Sequence, residues 1–349
     1  MQWWSFDTLS FNSDNWAGAH PAVLAALAHA NEGGVRAYGN DETTARAEAM
    51  ISAIFETHCS VYFVATGTAA NGLSLAALCP PWGAVLCHRN AHIAIDEGGG
   101  PEFFTSGARL LLLDGETGKL TPQSLSHAAR RFPKDNVHSP QPRGVSVTNA
   151  TESGTTYSPA ELAALSRVCK AEGWGFHVDG ARFANALAFT GASPAELSWK
   201  SGVDILSFGL TKAGALCCEA VVVFNPVYND VLPFLRKRSG QLFSKHRAVS
   251  AQAVGLLQNS LWLELAQKTN ALALRLAKGL QEHGADLLYP VEANEVFVRL
   301  SPAQASALEN AGVGFYAWPP EGEGAYRFVV GWPNEEHDVA KAISALALL

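Results

Sequence analysis

The sequence predicts an α/β protein in which a large domain with a mostly parallel sheet precedes a smaller α+β domain. Short apolar runs alternate with longer amphipathic runs as far as residue 224, which is typical of buried parallel strands joined by helices. A long helical region follows at residues 248–283, and the pattern beyond it differs. We therefore place the two domains at residues 1–247 and 248–349, the second including the long helix.

In the large domain, each predicted strand is a short apolar run and each predicted helix is an amphipathic run. We expect strands at residues 60–65, 84–87, 109–113, 144–148, 175–178, 205–208 and 219–224. We expect helices at residues 69–78, 159–172 and 182–189. The second of these helices has the usual start and stop signals, with Pro159 in its first turn and Gly173 just past its end.

In the smaller domain, we expect strands at residues 293–300 and 326–331 and helices at residues 302–311 and 336–348. The long helix before them ends at Gly284. Because no Gly/Ser-rich hinge is visible, we expect that helix itself to connect the two domains.

Composition excludes several classes of protein. With 48% hydrophobic and 16% charged residues, the chain is not intrinsically disordered. A net charge of −7 argues against a general affinity for nucleic acid or an anionic membrane, since both need a dominant positive field. No apolar run approaches the ~20 residues that cross a bilayer, and residues 1–15 lack the basic stretch of a secretory signal. We therefore expect a cytoplasmic enzyme.

The cysteines predict neither a disulfide framework nor a metal site. None of them forms a CxxC pair, and each lies in an apolar segment, so we expect buried free thiols. They are Cys59, Cys79, Cys87, Cys169, Cys217 and Cys218.

A lysine follows one of the most apolar strands. The segment SFGLTKAG, residues 207–214, places Lys212 on a loop of small residues just past the strand end. Burial disfavours the charged ammonium, and a neutral lysine amine is what Schiff-base chemistry requires. The alternative is an ordinary loop lysine.

A carboxylate follows the preceding strand. In FHVDGAR, residues 176–182, Asp179 comes at the strand end, where open α/β sheets bind ligands. An aspartate there can hold the protonated ring nitrogen of pyridoxal phosphate (PLP) or cap a helix. The 33 residues from Asp179 to Lys212 allow one helix and one strand between them, so both side chains can lie at the edge of neighbouring strands.

A third segment, ATGTAAN at residues 65–71, lies between a strand and a helix. Small residues expose backbone N–H groups at a helix N-terminus, which makes an anion site, and Thr68 adds a hydroxyl. The segment matches neither the Walker loop nor the Rossmann fingerprint. Alone, it indicates only a glycine turn.

Together these segments resemble the fold-type-I PLP enzymes, whose large domain is similar to that of aspartate aminotransferase. Within them the chain resembles the L-threonine aldolases, particularly the low-specificity bacterial group. The resemblance covers nearly the whole chain and follows the family's order. Its motifs are NSDN at 12–15, RAYGND at 36–41, GTAAN at 67–71, NAH at 90–92, PEFF at 101–104, GKLTPQS at 118–124, HVDGAR at 177–182, Lys212 and Arg327.

The resemblance implies a role for each matching residue. Lys212 would carry PLP covalently, Asp179 would pair with its pyridine nitrogen, Gly67 and Thr68 would hold its phosphate, and His92 would stack on its ring. The implied contacts to the substrate carboxylate come from Ser13, Arg182 and Arg327, with Arg182 also counted among the cofactor-binding residues. Two residues, Tyr38 and Arg247, would reach into the site of a neighbouring subunit, Arg247 towards its phosphate and Tyr38 towards its substrate.

Several of these residues have a structural alternative. A buried, unpaired guanidinium is costly, so we expect a carboxylate partner for Arg327. Arg247 ends a basic run, residues 236–247, that could be a solvated face, and Tyr38 could serve packing alone. His177 is interpreted as a supporting or packing residue and His88 as structural.

The chain departs from the family in one loop. Some members carry Glu-Asn-Thr-His after the strand that ends here at Thr148, whereas this chain has Thr-Asn-Ala-Thr at residues 148–151. Thr151 cannot serve as a general base at neutral pH. The base assignment is left open between His92, His138 and an ordered water.

The implied activity is the reversible retro-aldol cleavage of L-threonine, L-allo-threonine and related L-β-hydroxy-α-amino acids, phenylserine among them, to glycine and an aldehyde. The alternative enzyme is another fold-type-I lyase, such as a β-eliminating amino-acid lyase. A non-catalytic PLP-fold protein is disfavoured by the intact Lys212, Asp179 and Arg327. Family precedent implies a homotetramer with active sites shared between subunits.

Overall fold

The computed structural model describes residues 9–134 and 136–347. Its main feature is a seven-stranded sheet. A four-stranded sheet and a two-stranded sheet are separate from it. The strands are β1 (Leu9–Ser10), β2 (Ser60–Val64), β3 (Gly83–His88), β4 (Arg109–Leu113), β5 (Gln141–Thr148), β6 (Gly175–Gly180), β7 (Ile205–Gly209), β8 (Glu219–Val223), β9 (Asp286–Leu287), β10 (Glu295–Arg299), β11 (Val313–Gly314), β12 (Tyr316–Ala317) and β13 (Ala325–Val329).

Among the described residues, two helices precede the first strand of the seven-stranded sheet, and the other helices lie between or after the strands. They are α1 (Pro21–Ala30), α2 (Glu42–Ile54), α3 (Gly67–Leu78), α4 (His92–Ile95), α5 (Gly100–Phe104), α6 (Pro122–Arg131), α7 (Pro159–Glu172), α8 (Phe183–Thr190), α9 (Leu232–Arg238), α10 (Arg247–Leu257), α11 (Leu261–Glu282), α12 (Pro302–Asn310) and α13 (Glu336–Leu346). The predicted helix at residues 159–172 is confirmed: α7 begins with a Ser158 capping box and ends at Gly173, which has a left-handed φ of 72°.

The seven-stranded sheet has the order β2-β8-β7-β6-β5-β3-β4. All pairs from β7 to β4 are parallel, and β8 is antiparallel to both of its neighbours. Both β6 and β7 are buried along their whole length, as expected for parallel strands covered on both faces. The predicted fold class, with its mostly parallel sheet, is confirmed.

The carboxyl ends of β5, β6 and β7 meet at one edge of this sheet. Thr148 pairs with Asp179, which pairs with Ser207 on the other side. Because β8 runs antiparallel, its first residue, Glu219, reaches the same edge. The loop between β7 and β8 carries Lys212. Asp179 therefore lies near the end of β6 and Lys212 just past the end of the adjacent strand β7, as the sequence predicts.

All the predicted strands of the large domain are present, with some ends shifted. One helix prediction was wrong, because the region 248–283 forms two helices separated by a 3-10 turn at Gln258–Ser260. Asn259 and Ser260 have φ angles of 55° and 59°, which a right-handed helix cannot accommodate. Helices α1, α2, α4, α5, α6 and α9 were not predicted. The last helix ends at Leu346, and residue 348, where the sequence predicted its end, lies outside the described residues.

Two hydrophobic cores support these sheets. The larger core includes Val254 of α10 and Trp262 in the first turn of α11. The smaller core contains Leu272 and Leu276 from farther along α11, together with Phe11 near the N-terminus. Helix α11 therefore contributes to both cores, and the proposed domain boundary at residue 247 stays a prediction.

All six cysteines are free, and five of them are buried, as predicted. The exception is Cys217, which is exposed because it lies on the loop between β7 and β8. Over residues 9–134 and 136–347, no helix combines the length and the apolar character that crossing a bilayer requires.

Candidate active site

A cavity of about 380 Å³ opens at the carboxyl edge of the seven-stranded sheet. Its walls come from the start of α3, the region around α4, and the chain after β5, β6 and β7. The predicted site residues that line it are Gly67, Thr68, His92, Asp179, Arg182 and Lys212. The structure thus brings together the residues of one chain that the sequence assigned to the cofactor, while their roles stay predictions.

The first turn of α3 forms an anion-binding end of the cavity. Thr66 caps the helix by accepting a hydrogen bond from the Ala69 N–H at 3.1 Å. The N–H groups of Gly67 and Thr68 belong to the first turn and have no intrahelical partner. A Cβ at Gly67 would meet no atom within 4 Å, and both Gly67 and Thr68 line the cavity, so this helix end has open space beside it. A phosphate fits such a helix N-terminus.

Asp179 lies on the floor of the cavity and is buried. Its Oδ2 accepts a hydrogen bond from the Asn71 side chain at 2.8 Å, and its Oδ1 accepts one from the Ala181 N–H at 3.0 Å. These donors fix the carboxylate without neutralising its charge. Asp179 can therefore accept a further hydrogen bond from a protonated ring nitrogen.

His177 supports the sheet beside Asp179. Its ring nitrogens contact the hydroxyls of Ser146 and Ser207, both at 2.9 Å. Burial lowers the pKa of His177 to about 4, so the ring is neutral near pH 7. His88 is also held locally, with Nε2 3.0 Å from the Gly115 carbonyl oxygen. These contacts agree with the structural interpretation of both histidines.

His92 begins α4, and its Nδ1 lies 2.9 Å from Oε1 of Glu97. The same Glu97 oxygen accepts a hydrogen bond from Asn71 at 2.8 Å. A chain of contacts therefore runs from His92 through Glu97 and Asn71 to Asp179. The hydrogen bond to Glu97 raises the pKa of His92, which favours the protonated ring and leaves less of it free to accept a proton at neutral pH.

Lys212 is half-buried at the mouth of the cavity, on the loop that follows β7. The preceding Leu210 N–H donates to Oε2 of Glu219 at 2.7 Å, which ties this loop to β8. Burial raises the pKa of Glu219 to about 7. The position of Lys212 at the strand end agrees with the sequence, and the supporting Glu219 was not predicted.

Two arginines surround a buried carboxylate beside the cavity. Arg182 donates from Nε and Nη2 to the two oxygens of Asp14, at 2.8 and 3.0 Å. Its Nη1 lies 3.3 Å from Oε2 of Glu295, and Arg327 Nη1 lies 4.0 Å from Oε1 of the same residue. Burial disfavours the charge, but Asp14 and Glu295 outweigh it and raise the pKa of Arg182. The carboxylate partner expected for Arg327 is therefore Glu295.

Ser13 directly precedes Asp14, which binds Arg182, but it lines a different cavity, beside the two-stranded sheet of β1 and β11. Its hydroxyl accepts a hydrogen bond from the Asn15 N–H at 3.2 Å and so caps a short 3-10 helix. Asn15 itself lines the main cavity. The substrate-binding roles of Ser13 and Arg327 stay predictions.

Three predicted residues lie away from the main cavity of their own chain. The Tyr38 side chain is exposed, and Arg247 donates to the carbonyl oxygens of Glu32 and Gly33 at 3.1 Å. His138 is exposed and precedes β5, so it lies at the opposite edge of the sheet from the end of that strand at Thr148. A base role for His138 in its own chain does not agree with this position.

Sequence analysis missed four polar residues that line the cavity: Asn71, Glu97, Glu152 and Glu219. The motifs GTAAN and TNAT were both recognised, but Asn71 was treated as part of a turn, and Glu152 follows the second motif directly. Only spatial contacts link Asn71 with Glu97 and Asp179. A carboxylate directly after TNAT was the one local signal that could have indicated Glu152.

Comparisons with known proteins agree with this geometry. The model of the β-eliminating lyase family matches residues 10–303. The chain is 47% identical over 329 residues to a low-specificity L-threonine aldolase of Pseudomonas aeruginosa, covering 94% of each chain. It is similar to the solved structure of Leishmania major threonine aldolase, with a TM-score of 0.91, 28% identity, and coverage of 97% of this chain and 98% of the other. The fold is also that of Sphingomonas wittichii serine palmitoyltransferase, with a TM-score of 0.74, 18% identity, and coverage of 97% and 86%.

Proposed function

The chain belongs to the β-eliminating lyase family, in its group of low-specificity L-threonine aldolases, and we propose that it cleaves L-threonine and L-allo-threonine reversibly to glycine and acetaldehyde. Related L-β-hydroxy-α-amino acids, phenylserine among them, give glycine and the corresponding aldehyde. The observation that carries this proposal is the convergence of the α3 N-terminus, Asp179 and Lys212 on one cavity.

The cavity fits PLP as the cofactor. The free N–H groups of Gly67 and Thr68 belong to a helix end with open space beside it that suits a phosphate, and Asp179 keeps acceptor capacity for the pyridine nitrogen. Lys212 lines the same cavity and is the residue to which PLP would attach covalently. His92 and Arg182 also line this cavity. When bound, PLP supplies an electron sink that stabilises negative charge at the α-carbon of an amino acid.

The protein's own residues bind and orient the amino acid. Arg182 and Arg327, with Ser13, hold its carboxylate; because Nε and Nη2 of Arg182 already donate to Asp14, the bidentate contact comes from Arg327, whose Nε has no partner among the described residues. Fixing the carboxylate and the amine determines which bond at the α-carbon is activated. His92 lies beside the reacting groups and orients the β-hydroxyl.

A β-eliminating activity is the alternative. The test includes it because the matching family model is that of the β-eliminating lyases. Retro-aldol cleavage of L-threonine yields glycine and acetaldehyde, whereas β-elimination yields 2-oxobutanoate and ammonia. We expect a PLP-loaded preparation to release glycine and a trapped aldehyde in equal amounts. The keto acid and ammonia as main products would contradict the proposed function.

Assembly and location form a further part of this proposal. We propose a cytoplasmic homotetramer in which Tyr38 and Arg247 reach the cavity of a neighbouring subunit, Arg247 at its phosphate. Both residues are on the same part of the surface, where the Tyr38 N–H donates to the Ser244 carbonyl oxygen at 2.9 Å. Six free cysteines are consistent with a reducing compartment.

A further inference from the structure

Of the four carboxyl groups of described residues that line the cavity, Asp179 is assigned to the cofactor, Glu97 holds His92 and Glu219 ties the loop after β7 to β8, which leaves Glu152 without a role. Glu152 lines the cavity directly after the loop at residues 148–151, the loop in which this chain has no histidine. Its Oε1 accepts two hydrogen bonds, from the His92 N–H at 2.8 Å and from the Thr148 hydroxyl at 2.7 Å. The side chain is therefore anchored from α4 and from the end of β5.

The second oxygen of Glu152 is buried and has no hydrogen-bond partner among residues 9–134 and 136–347. A buried acceptor without a partner is costly, so such groups commonly serve a ligand or a reaction. Glu152 thus combines a fixed position with one free oxygen at the cavity wall. It can bind a hydroxyl group of a molecule in the cavity.

The other candidates for proton transfer are less suitable. Glu97 holds Nδ1 of His92 and favours the protonated ring, so a smaller fraction of the ring can accept a proton at neutral pH. Thr151 lies within hydrogen-bond distance of the Thr155 hydroxyl and donates to the Thr117 carbonyl oxygen, and a hydroxyl is not a base near neutral pH. His138 lies at the opposite edge of the sheet.

We propose that Glu152 is the catalytic residue that takes the proton of the substrate β-hydroxyl during cleavage and returns it during condensation. This inference rests on the proposed aldolase function. As the O–H bond breaks, its electron pair forms the aldehyde C=O bond, and the Cα–Cβ bond breaks. The electron pair of that bond stays on the glycine fragment, and the proton goes to Oε2 of Glu152.

The surroundings of Glu152 suit this proton transfer. Burial and, less strongly, nearby Asp179 raise the pKa of Glu152, and against the hydrogen bonds from Thr148 and His92 the net result is a pKa of about 7. Other ionisable groups around it are Arg182, which follows β6, Cys87 near the end of β3, and Tyr157. A base is most efficient when its pKa is near the working pH. The cleavage rate should therefore fall as the pH drops below about 7.

Glu152→Gln is the decisive variant, because its amide oxygen can still accept both anchoring hydrogen bonds. We expect kcat for L-threonine cleavage to fall by about 10²- to 10⁴-fold, the usual value of general-base catalysis. Absorbance titrations should show unchanged binding of PLP and glycine. Exchange of the glycine α-proton with D₂O, which involves no β-hydroxyl, should continue at the wild-type rate.

Glu292→Gln is the matched control. Glu292 holds the same loop by accepting a hydrogen bond from the Thr156 N–H at 2.7 Å, but it does not line the cavity. This variant should keep both cleavage and exchange. Glu152→Asp retains a carboxylate, so it should keep the decline at low pH with a lower kcat, whereas Glu152→Gln should lose that decline.

Near-native cleavage by Glu152→Gln would overturn the inference. A parallel loss of cleavage and glycine exchange in Glu152→Gln would also overturn it, because that pattern indicates a structural role. If Glu152→Gln does not fold, the same test applies to Glu152→Asp. Failure of the wild-type enzyme to release glycine and aldehyde from L-threonine would instead contradict the proposed function. The two failures are therefore distinguishable.

Discussion

Arg327 combines an ion-pair partner with a free donor. Its Nη1 lies 4.0 Å from Glu295, and its Nε is buried without a partner in the described part of the chain. We expect Arg327→Ala to weaken substrate binding far more than PLP binding, because losing a buried charge-assisted pair costs ~2–5 kcal/mol. Absorbance titrations with glycine and with PLP would measure both affinities.

Arg299 offers the control for this prediction. It lies on β10, the strand paired with β13, and its exposed side chain donates to the carbonyl oxygens of Glu321 and Glu323. Arg299→Ala should leave both affinities unchanged. Equal losses of PLP and substrate affinity in Arg327→Ala would indicate a structural arginine held by Glu295.

The two candidate histidines should behave differently when each is changed to asparagine. His92→Asn loses the ring at the cavity, so kcat should fall by about one to three decades with an altered preference between L-threonine and L-allo-threonine. His138→Asn should have near-native activity, since His138 is exposed at the other edge of the sheet. The measurement is kcat for both substrates in each variant, with the PLP absorbance band as a check on cofactor binding. An inactive His138→Asn with a near-native His92→Asn would show that His138, and not His92, acts at the substrate.

Individual residues were predictable where their signal is local. Lys212, Asp179 and Gly67 each stand at the boundary of an apolar strand or a helix, and the sequence shows those boundaries directly. Glu97 was not predictable in this way. Its place in the site rests on contacts with Asn71 and His92, and the contact with Asn71 joins positions 26 residues apart.

At the level of elements, strands of the seven-stranded sheet were the most predictable, because burial on both faces makes them continuous apolar runs. The break between α10 and α11 was not predictable from the sequence. Asn259 and Ser260 adopt left-handed φ angles without a glycine or proline to indicate it. The residues around them keep a helical pattern, and one asparagine, which adopts this region more readily than most residues, is too weak a signal to interrupt it.

This turn gives a prediction about stability. Ser260 is exposed and has a φ of 59°, a conformation that glycine adopts without steric cost and a β-branched residue adopts poorly. We expect Ser260→Gly to raise the free energy of unfolding by ~0.5–1 kcal/mol and Ser260→Val to lower it by ~1–2 kcal/mol. Urea unfolding of the three proteins would measure these changes. A stabilising Ser260→Val would show that the turn is not left-handed in solution.

At the level of the whole molecule, the sequence predicted two domains but not the contact between the N-terminal segment and the C-terminal part of the chain. Leu9 pairs with Val313 in a parallel two-stranded sheet, and Phe11 belongs to the core of the smaller sheet. The N-terminal segment thus crosses to the C-terminal part of the fold. Such a contact between distant parts of the chain has no periodicity or local motif, so the sequence cannot indicate it.

Sharing of active sites between subunits can be tested by mixing two defective proteins. Lys212→Ala should be inactive, and Arg247→Ala should be strongly impaired through weak phosphate binding. If Arg247 serves the neighbouring cavity, a hybrid pair contains one site with both native residues. Random association of equal amounts then restores about a quarter of the sites, as the symmetry of paired subunits requires. Activity above the mean of the two parents is therefore the expected result.

The control is a mixture of Lys212→Ala with Arg182→Ala. Both residues line the same cavity of one chain, so no hybrid contains a site with both native residues, and no activity should return. Recovery in the first mixture alone requires that a site combine Lys212 of one subunit with Arg247 of another. If the first mixture only matches the mean of its parents, Arg247 acts within its own chain. Its bonds to the carbonyl oxygens of Glu32 and Gly33 would then represent its whole function.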